Sequence, residues 1–238
     1  MQSYQVLARF YEAVLGEMRV HHAAYLRWLI LKHAPAARTV LELGCGTGAI
    51  LKQLERHFEV AGLDLSKDML AVAAENVPGA RLYHEDMTRF DLDERFDVVL
   101  CVFDSINHLV AFEQWEAVFD RAREHLNDGG SFVFDINTEH QLAQLQARPN
   151  VSWFGDDNLF LLDVSDGGDG VTDWRFRVFE NLGAGTYRLH TDGVREASFP
   201  LGRIEVALSP RFREVRVYDG LRPHASPESE RVHFVCRP

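Results

Sequence analysis

One nine-residue stretch limits the folds open to this chain more than any other: Val40-Leu41-Glu42-Leu43-Gly44-Cys45-Gly46-Thr47-Gly48. A short apolar run ends there in three glycines at every second position. Residues 39–43 read as a buried strand, and over residues 49–58 the apolar side chains recur at helical spacing. Between the two, glycine lets the backbone turn sharply and pass close to a ligand, because it carries no Cβ and tolerates positive φ.

The same unit repeats downstream. Residues 60–65 form a second apolar run, and Ser66 is suited to cap a helix reaching Asn76. Residues 80–84 read as a third strand, and residues 96–103 (Phe-Asp-Val-Val-Leu-Cys-Val-Phe) as the strongest buried strand in the chain. A helix over 112–126, a turn at Asn127-Asp128-Gly129-Gly130 and a fifth strand over 131–136 come next. Upstream, Tyr4, Leu7, Tyr11, Val14, Leu15 and Met18, then Tyr25, Leu26, Leu29 and Ile30, mark two amphipathic helices, the second ended by Pro35. Such alternation predicts an open parallel sheet with helices on both faces and ligands beyond the carboxyl ends of its strands. After Pro149 the character changes. Residues 159–164, 172–181 and 187–194 are β-type runs between Gly-rich turns, an antiparallel insertion. A helix over 199–208 returns the chain to the sheet, and residues 213–218 and 231–236 supply two last strands around a long loop at 222–230.

With 238 residues the chain has the length for one core with an elaboration. It carries 25 Lys and Arg against 36 Asp and Glu, a formal net charge of -11. No basic cluster offsets that charge, which disfavours a nucleic-acid substrate because such binding draws on phosphate neutralisation. No apolar run approaches a membrane span, and residues 1–5 lack the basic-then-apolar pattern of a secretory signal. Cys45, Cys101 and Cys236 lie in or beside apolar runs without the paired spacing of a zinc site, so they read as buried thiols in a reducing compartment. A cytoplasmic protein without membrane contact is the expectation.

Gly44-x-Gly46-x-x-Ala49 also satisfies the dinucleotide fingerprint, with Asp64 about 20 residues on, so a nicotinamide cofactor is open on the glycines alone. Three acids separate the readings. Glu42 stands two residues before the first glycine in an otherwise buried strand, where carboxylates are rarely idle. Asp64, at the end of the second strand, can accept from both hydroxyls of a ribose, which serves either cofactor. Asp86-Met87, just after the third strand, offers an acceptor for an adenine amino group and an apolar contact for its ring, an acid that a dinucleotide site does not ordinarily need.

As a series, residues 42–48, Asp64, Asp86 and Phe96-Asp97-Val98-Val99 resemble the successive motifs of class I S-adenosylmethionine-dependent methyltransferases, across residues 36–140. The resemblance implies an α/β, Rossmann-like methyltransferase fold: a seven-stranded, mostly parallel sheet with an antiparallel final strand, plus a small antiparallel β insertion. It divides the chain into N-terminal helices (1–34), a cofactor-binding core (36–148), an insertion or lid (150–195) and a return to the sheet (196–238). S-adenosylmethionine is the implied donor cosubstrate. Glu42, Gly44, Cys45 and Gly46 would lie about its methionine part, Asp64 would hold the ribose, and Asp86 with Met87 the adenine. Leu65 and Met69 would flank the purine's other face, Cys101 would close the end of the fourth strand, and Tyr11 would cover the methionine end.

The run Cys101-Val102-Phe103-Asp104-Ser105-Ile106-Asn107-His108-Leu109 lies at the sheet edge where an activated methyl group would point. It resembles small-molecule methyltransferases of bacteria, sugar N-methyltransferases and uncharacterised relatives among them, rather than nucleic-acid enzymes with Asn-Pro-Pro-Tyr here. The expected function is methyl transfer by in-line displacement to a nitrogen or oxygen of a small molecule. A nicotinamide-dependent oxidoreductase and a non-catalytic S-adenosylmethionine-binding protein are the alternatives. His108 has the ordinary pKa of a general base, and Asp104 can orient an amine or hydroxyl. His21-His22 and His140 have no metal-ligand spacing and read as solvated, so no metal is expected. Trp153, Phe154, Phe160, Trp174, Phe176, Phe179 and Tyr187 serve the insertion as a lid over an apolar acceptor pocket or as a homodimer surface. Asp163, Asp166, Asp169 and Asp173 around Gly167-Gly168 read as a solvated hairpin turn rather than a calcium loop.

Overall fold

The computed structural model describes residues 7–147 and 149–238; ahead of residue 21 the described side chains are those of Phe10, Ala13 and Val14. Helix α1 (Leu7–His33) leads into β1 (Thr39–Leu43), α2 (Ala49–Leu54), β2 (Glu59–Asp64), α3 (Lys67–Asn76), β3 (Arg81–His84) and β4 (Phe96–Cys101). The chain continues through a 3-10 turn (Ser105–His108), α4 (Phe112–Glu124), β5 (Leu126–Asn137) and α5 (Glu139–Gln146). Four antiparallel strands come next: β6 (Asn150–Phe154), β7 (Asn158–Gly168), β8 (Val171–Asn181) and β9 (Tyr187–Ala197). The last elements are α6 (Leu201–Leu208), β10 (Glu214–Tyr218) and β11 (Arg231–Arg237).

The seven strands of the main sheet run in the order β10-β11-β5-β4-β1-β2-β3. Strands β1 to β5 pair in parallel, and β11 lies antiparallel between β10 and β5. Because successive strand residues face opposite ways, a sheet covered on both sides needs apolar residues at nearly every position. Leu41, Leu43, Val99, Phe132 and Phe134 enter a core with α4 and α6. Val40, Val60, Val98, Leu100 and Val133 enter another with α1 and α2. The β6-β9 sheet builds a third, in which Phe160, Trp174, Phe176 and Val178 close on Phe10 of α1 and Leu142 of α5.

Three expectations change. The two helices ahead of β1 are one, since α1 continues through Gly16. No proline interrupts it, and a mid-helix glycine costs only about 1 kcal/mol, which burial of Leu26, Leu29 and Ile30 farther along outweighs. The turn at residues 127–130 lies inside β5, as an irregularity in its ladder with β4: Phe96 faces Leu126, and the next pair is Val98 with Ser131. Glycine is required there, because a Cβ on Gly130 would stand 2.7 Å from the Asp97 carbonyl oxygen. The insertion's Phe160 and Phe176 are buried in its own core, Trp174 joins that core while also bordering the cavity at the strand ends, and its exposed rings are Trp153 and Tyr187.

Candidate active site

A cavity of about 1130 Å³ opens at the carboxyl ends of β1 to β4 and is walled on one side by residues 173–175 and 193–195 of β8 and β9. Its floor is the glycine loop. Gly44, Gly46 and Gly48 all hold positive φ, at 68°, 54° and 75°. A Cβ on Gly44 would stand 3.0 Å from the Ser105 Cβ and 3.3 Å from the Met87 Cε, so the missing side chain is what keeps backbone accessible there. Gly62 on β2 lets the loop pack closely on the sheet: its Cβ would fall 2.8 Å from the Cys45 Sγ.

Asp64 braces this loop. Its Oδ2 accepts from the Gly46 amide and its Oδ1 from the Ser66 amide, each at 2.8 Å. Each oxygen keeps a further lone pair, enough for two vicinal hydroxyls. Burial pushes the carboxyl up, and the two amides oppose that shift. Ser66 caps α3 as its residue type dictates, accepting from the Met69 amide at 3.3 Å. Glu42 is buried and borders the cavity from the end of β1. Asp86 spends its Oδ1 on the amide and hydroxyl of Thr88, at 2.9 and 2.7 Å, and turns Oδ2 toward Arg89. Cys45, Leu65, Met69 and Met87 border the cavity too, Leu65 as an exposed rim and Met69 as a buried wall. The Tyr11 side chain lies outside the described residues. These groups fit a donor with a purine, a ribose and an amino-acid tail: an apolar slot, a two-oxygen acceptor and a bare backbone cradle.

His108 faces the cavity across from this floor, and Ser105 joins it, its Oγ donating to the Val102 carbonyl at 2.7 Å. Although 26% of the His108 side chain is accessible, that part opens into the cavity. Burial pushes its imidazole below the ordinary value, while the Asp104 and Asp64 carboxylates and the Arg195 backbone pull it back. Neutral imidazole at pH 7 is the consequence. Asp104 and Cys101 do not border the cavity. Cys101 is fully buried at the end of β4, and Asp104 Oδ1 is bound by Arg231 Nη2 at 2.6 Å.

Behind this wall lies a polar cluster whose members are far apart in sequence. Glu196 of β9 is buried, 3.9 Å from His108 Nδ1, and accepts from Asn137 Nδ2 at 3.3 Å. Burial and the neighbouring Asp104 carboxylate push its carboxyl well above the usual range. Asn107 ties the turn to both sheets, donating to the carbonyls of Asn137 and Ala197 at 3.0 and 2.8 Å. Asp135 of β5, fully buried, meets Arg231, His22 and His233. His22 is therefore not solvated: α1 carries it inward, 3.0 Å from Asp135 and against the Phe103 ring. Sequence spacing does not single out Asp135 and Asn137, yet a signal exists in the same form as for Glu42, polar residues inside the apolar run Phe132-Val133-Phe134-Asp135-Ile136-Asn137.

A family model described as a methyltransferase domain matches residues 40–130. The dTDP-3-amino-3,6-dideoxy-alpha-D-glucopyranose N,N-dimethyltransferase of Streptomyces fradiae is 39% identical over 133 residues, 54% of this chain and 52% of the relative. The chain spans about half the length of the curated relatives it matches. Among solved structures, the sugar N-methyltransferase KedS8 from a Streptoalloteichus species superposes with a TM-score of 0.82 at 24% identity, covering 98% of this chain and 94% of that one. Streptomyces venezuelae DesVI gives 0.80 at 26% identity, covering 98% and 97%. Residues 40–130 thus match a methyltransferase domain, and the fold as a whole is similar to those of the sugar N-methyltransferase KedS8 and of DesVI.

Proposed function

We propose that this protein transfers a methyl group from S-adenosylmethionine to the amino nitrogen of a small, anionic acceptor, of the kind represented by a nucleotide-linked amino sugar. One observation carries the reading: a single cavity holds a cradle suited to the donor on one wall and a neutral histidine on the other. Its volume exceeds the roughly 300–1,000 Å³ of a pocket for one drug-sized ligand. Arg175 and Arg195 border the acceptor side in a chain of net charge -11, where they favour a phosphate-bearing molecule. The names of the curated relatives, dTDP-amino-sugar dimethyltransferases, point to the same acceptor class.

When bound, S-adenosylmethionine supplies a methyl group already activated by its sulfonium charge. Asp64 and the glycine loop fix the donor end of the reaction axis, and the turn bearing Ser105 and His108 fixes the other. Holding both ends along one line supplies most of what an in-line displacement needs. His108 accepts the proton that an acceptor bound as its ammonium must lose to free the lone pair for attack, a role that requires the neutral ring. The insertion works as the acceptor-side wall.

Calorimetry with S-adenosylmethionine and methylation of a dTDP-3-amino sugar by labelled donor test this. Donor binding that disappears in Asp64→Ala is expected. No binding at millimolar donor, or binding untouched by that substitution, overturns the proposal, and binding without turnover on amino-sugar, alcohol and amine panels leaves a non-catalytic binder. We also infer a homodimer through the insertion, where Val151, Trp153, Leu182, Tyr187 and Leu189 are exposed; sedimentation showing only monomer at micromolar concentration sinks it. A reducing, cytoplasmic setting suits the free, buried Cys45, Cys101 and Cys236. Among the described residues no helix is long and apolar enough to cross a membrane.

A further inference from the structure

Just past β4, Phe103 and Asp104 are consecutive non-glycine residues in the left-handed region, with φ of 56° and 55°. A Cβ disfavours that region, and two such residues in succession need something to hold them. Their amides converge on one carboxylate. Phe103 N–H donates to Asp135 Oδ2 at 3.0 Å and Asp104 N–H to Asp135 Oδ1 at 2.8 Å. Asp135 sits on the neighbouring β5 and is itself clamped by Arg231 Nη1 on Oδ1 at 2.6 Å, with His22 Nε2 lying 3.0 Å from Oδ2. Arg231 then reaches back with Nη2 to Asp104 Oδ1 at 2.6 Å and Asn137 Oδ1 at 3.0 Å. One guanidinium thus grips both the anchor and the residue being anchored.

The turn's conformation places the side chains just beyond it. Ser105 Oγ lies 3.4 Å from the Gly44 carbonyl oxygen in the donor loop, and His108 completes the opposite wall.

We propose that Asp135 is the positioning residue of the methyl-transfer site: clamped by Arg231, its carboxylate imposes the left-handed turn at Phe103 and Asp104 and thereby sets Ser105 and His108 against the donor loop. The kinetic consequences rest on the methyl-transfer reading; the conformational ones rest on geometry alone. Carboxylate is the group the site requires, because its two oxygens offer about four acceptor positions and no donor. An amide would turn an NH2 toward one of the two backbone N–H groups. Burial opposes ionisation of Asp135, but Arg231, with His22 and His233, draws the carboxyl far below the usual range, so the anchor stays charged at working pH. A divalent cation is the rival use of this carboxylate, since His22 and His233 bring Nε2 within 3.0 and 3.6 Å of the same Oδ2.

Asp135→Asn and Arg231→Lys in the full chain separate these. The first readout needs neither donor nor acceptor: amide-proton and Cα chemical shifts of Phe103 and Asp104. In Asp135→Asn both amide protons are expected to lose their downfield, carboxylate-bonded positions and both Cα shifts their left-handed signature. Affinity for S-adenosylhomocysteine should stay within about threefold, while kcat on a dTDP-3-amino sugar falls about 100-fold, the cost of a misplaced reacting group. Arg231→Lys keeps the charge but loses the two-armed grip, so a loss nearer tenfold is expected, a partial rescue relative to Arg231→Met. Unchanged shifts in Asp135→Asn overturn the proposal, as does zinc that raises the melting temperature of the wild type but not of Asp135→Asn. Should Asp135→Asn fail to fold by circular dichroism, Arg231→Lys reads the same turn by the same shifts. A wild type without turnover on any acceptor defeats the methyl-transfer reading and leaves the shifts to judge the turn.

Discussion

The two walls of the cavity are built on different terms. On the donor side each contributing segment sits at the end of its own strand: residues 42–46 after β1, 64–69 after β2 and 84–87 after β3. The decisive contacts are short in sequence or made by backbone, as when Asp64 holds the amides of Gly46 and Ser66. On the acceptor side the turn at 103–108 is held by Asp135, Asn137, Glu196 and Arg231, which come from β5, β9 and β11. Local sequence therefore builds a donor wall in pieces, whereas the acceptor wall exists only when distant strands have assembled. The first should fail by steric or hydrogen-bond damage at one residue, the second by loss of alignment.

The largest effect tests the donor wall. Gly44→Val forces a β-branched residue to φ near 68° against Ser105 and Met87, and donor affinity by calorimetry should fall at least about 100-fold, since αL strain and overpacking each cost about 1–3 kcal/mol. Retained affinity would break the idea that bare backbone is the donor's seat. His108→Asn comes next. General-base catalysis is worth roughly 10²–10⁴ in rate, so kcat on an amine acceptor should drop by about 100-fold with donor affinity kept. In the wild type the neutral ring is the active form and its pKa lies below the ordinary 6.5, so kcat/KM should be flat above that pH and fall on acidification beneath it. A profile still rising through pH 8 would remove His108 from the role.

The acceptor side should also fail in acid. His233 is buried and pushed down to about 4 by burial, with Asp135 and Asp219 opposing, and His22 and Arg231 adding to the shift. The unfolded chain takes up that proton below its ordinary 6.5, so the fold keeps this stabilisation above pH 6.5 and loses it as pH falls toward 4. The loss amounts to about 3 kcal/mol. Denaturant titrations from pH 7.5 to 4 should show it, and His233→Leu should flatten the curve. Arg175→Ala is a smaller test, raising KM about tenfold for a phosphate-bearing acceptor and leaving a neutral amine unaffected. Smallest is Glu196→Gln: putting a neutral isostere in place of a carboxyl that burial and Asp104 already push well above the usual range should shift stability by about 0.5 kcal/mol or less in urea titration, far less than Asp104→Asn, which takes away one of the two carboxylates paired with Arg231.

Much of the donor wall is legible in the sequence because its determinants are short-range. Glycines that need positive φ, a serine at a helix N-cap and acids at strand ends all announce themselves within a few residues. Even so, Asp86 spends one oxygen capping Thr88, which spacing does not reveal. The acceptor wall is legible only at its surface, in the run from Cys101 to Leu109. Asp104 is expected from its position to face an acceptor and instead faces Arg231, 127 residues away. His22 is expected to be solvated and instead packs, partly buried, beside Asp135. The rings of the insertion suggest a pocket or an interface; the buried Phe160 and Phe176 close on α1 and α5, and Trp174 borders the cavity from the same core.

By itself, then, the sequence determined most of the order of strands and helices, though not α5 or β6, together with the two-sided burial of the sheet and the place of the glycine loop, because periodicity and backbone preference act over a few residues. Tertiary structure alone decided which charges meet. A buried carboxylate is stable only beside partners that repay its desolvation. Asp135 finds those partners on α1, on the turn just past its neighbour β4 and on the antiparallel β11, which no local pattern brings together.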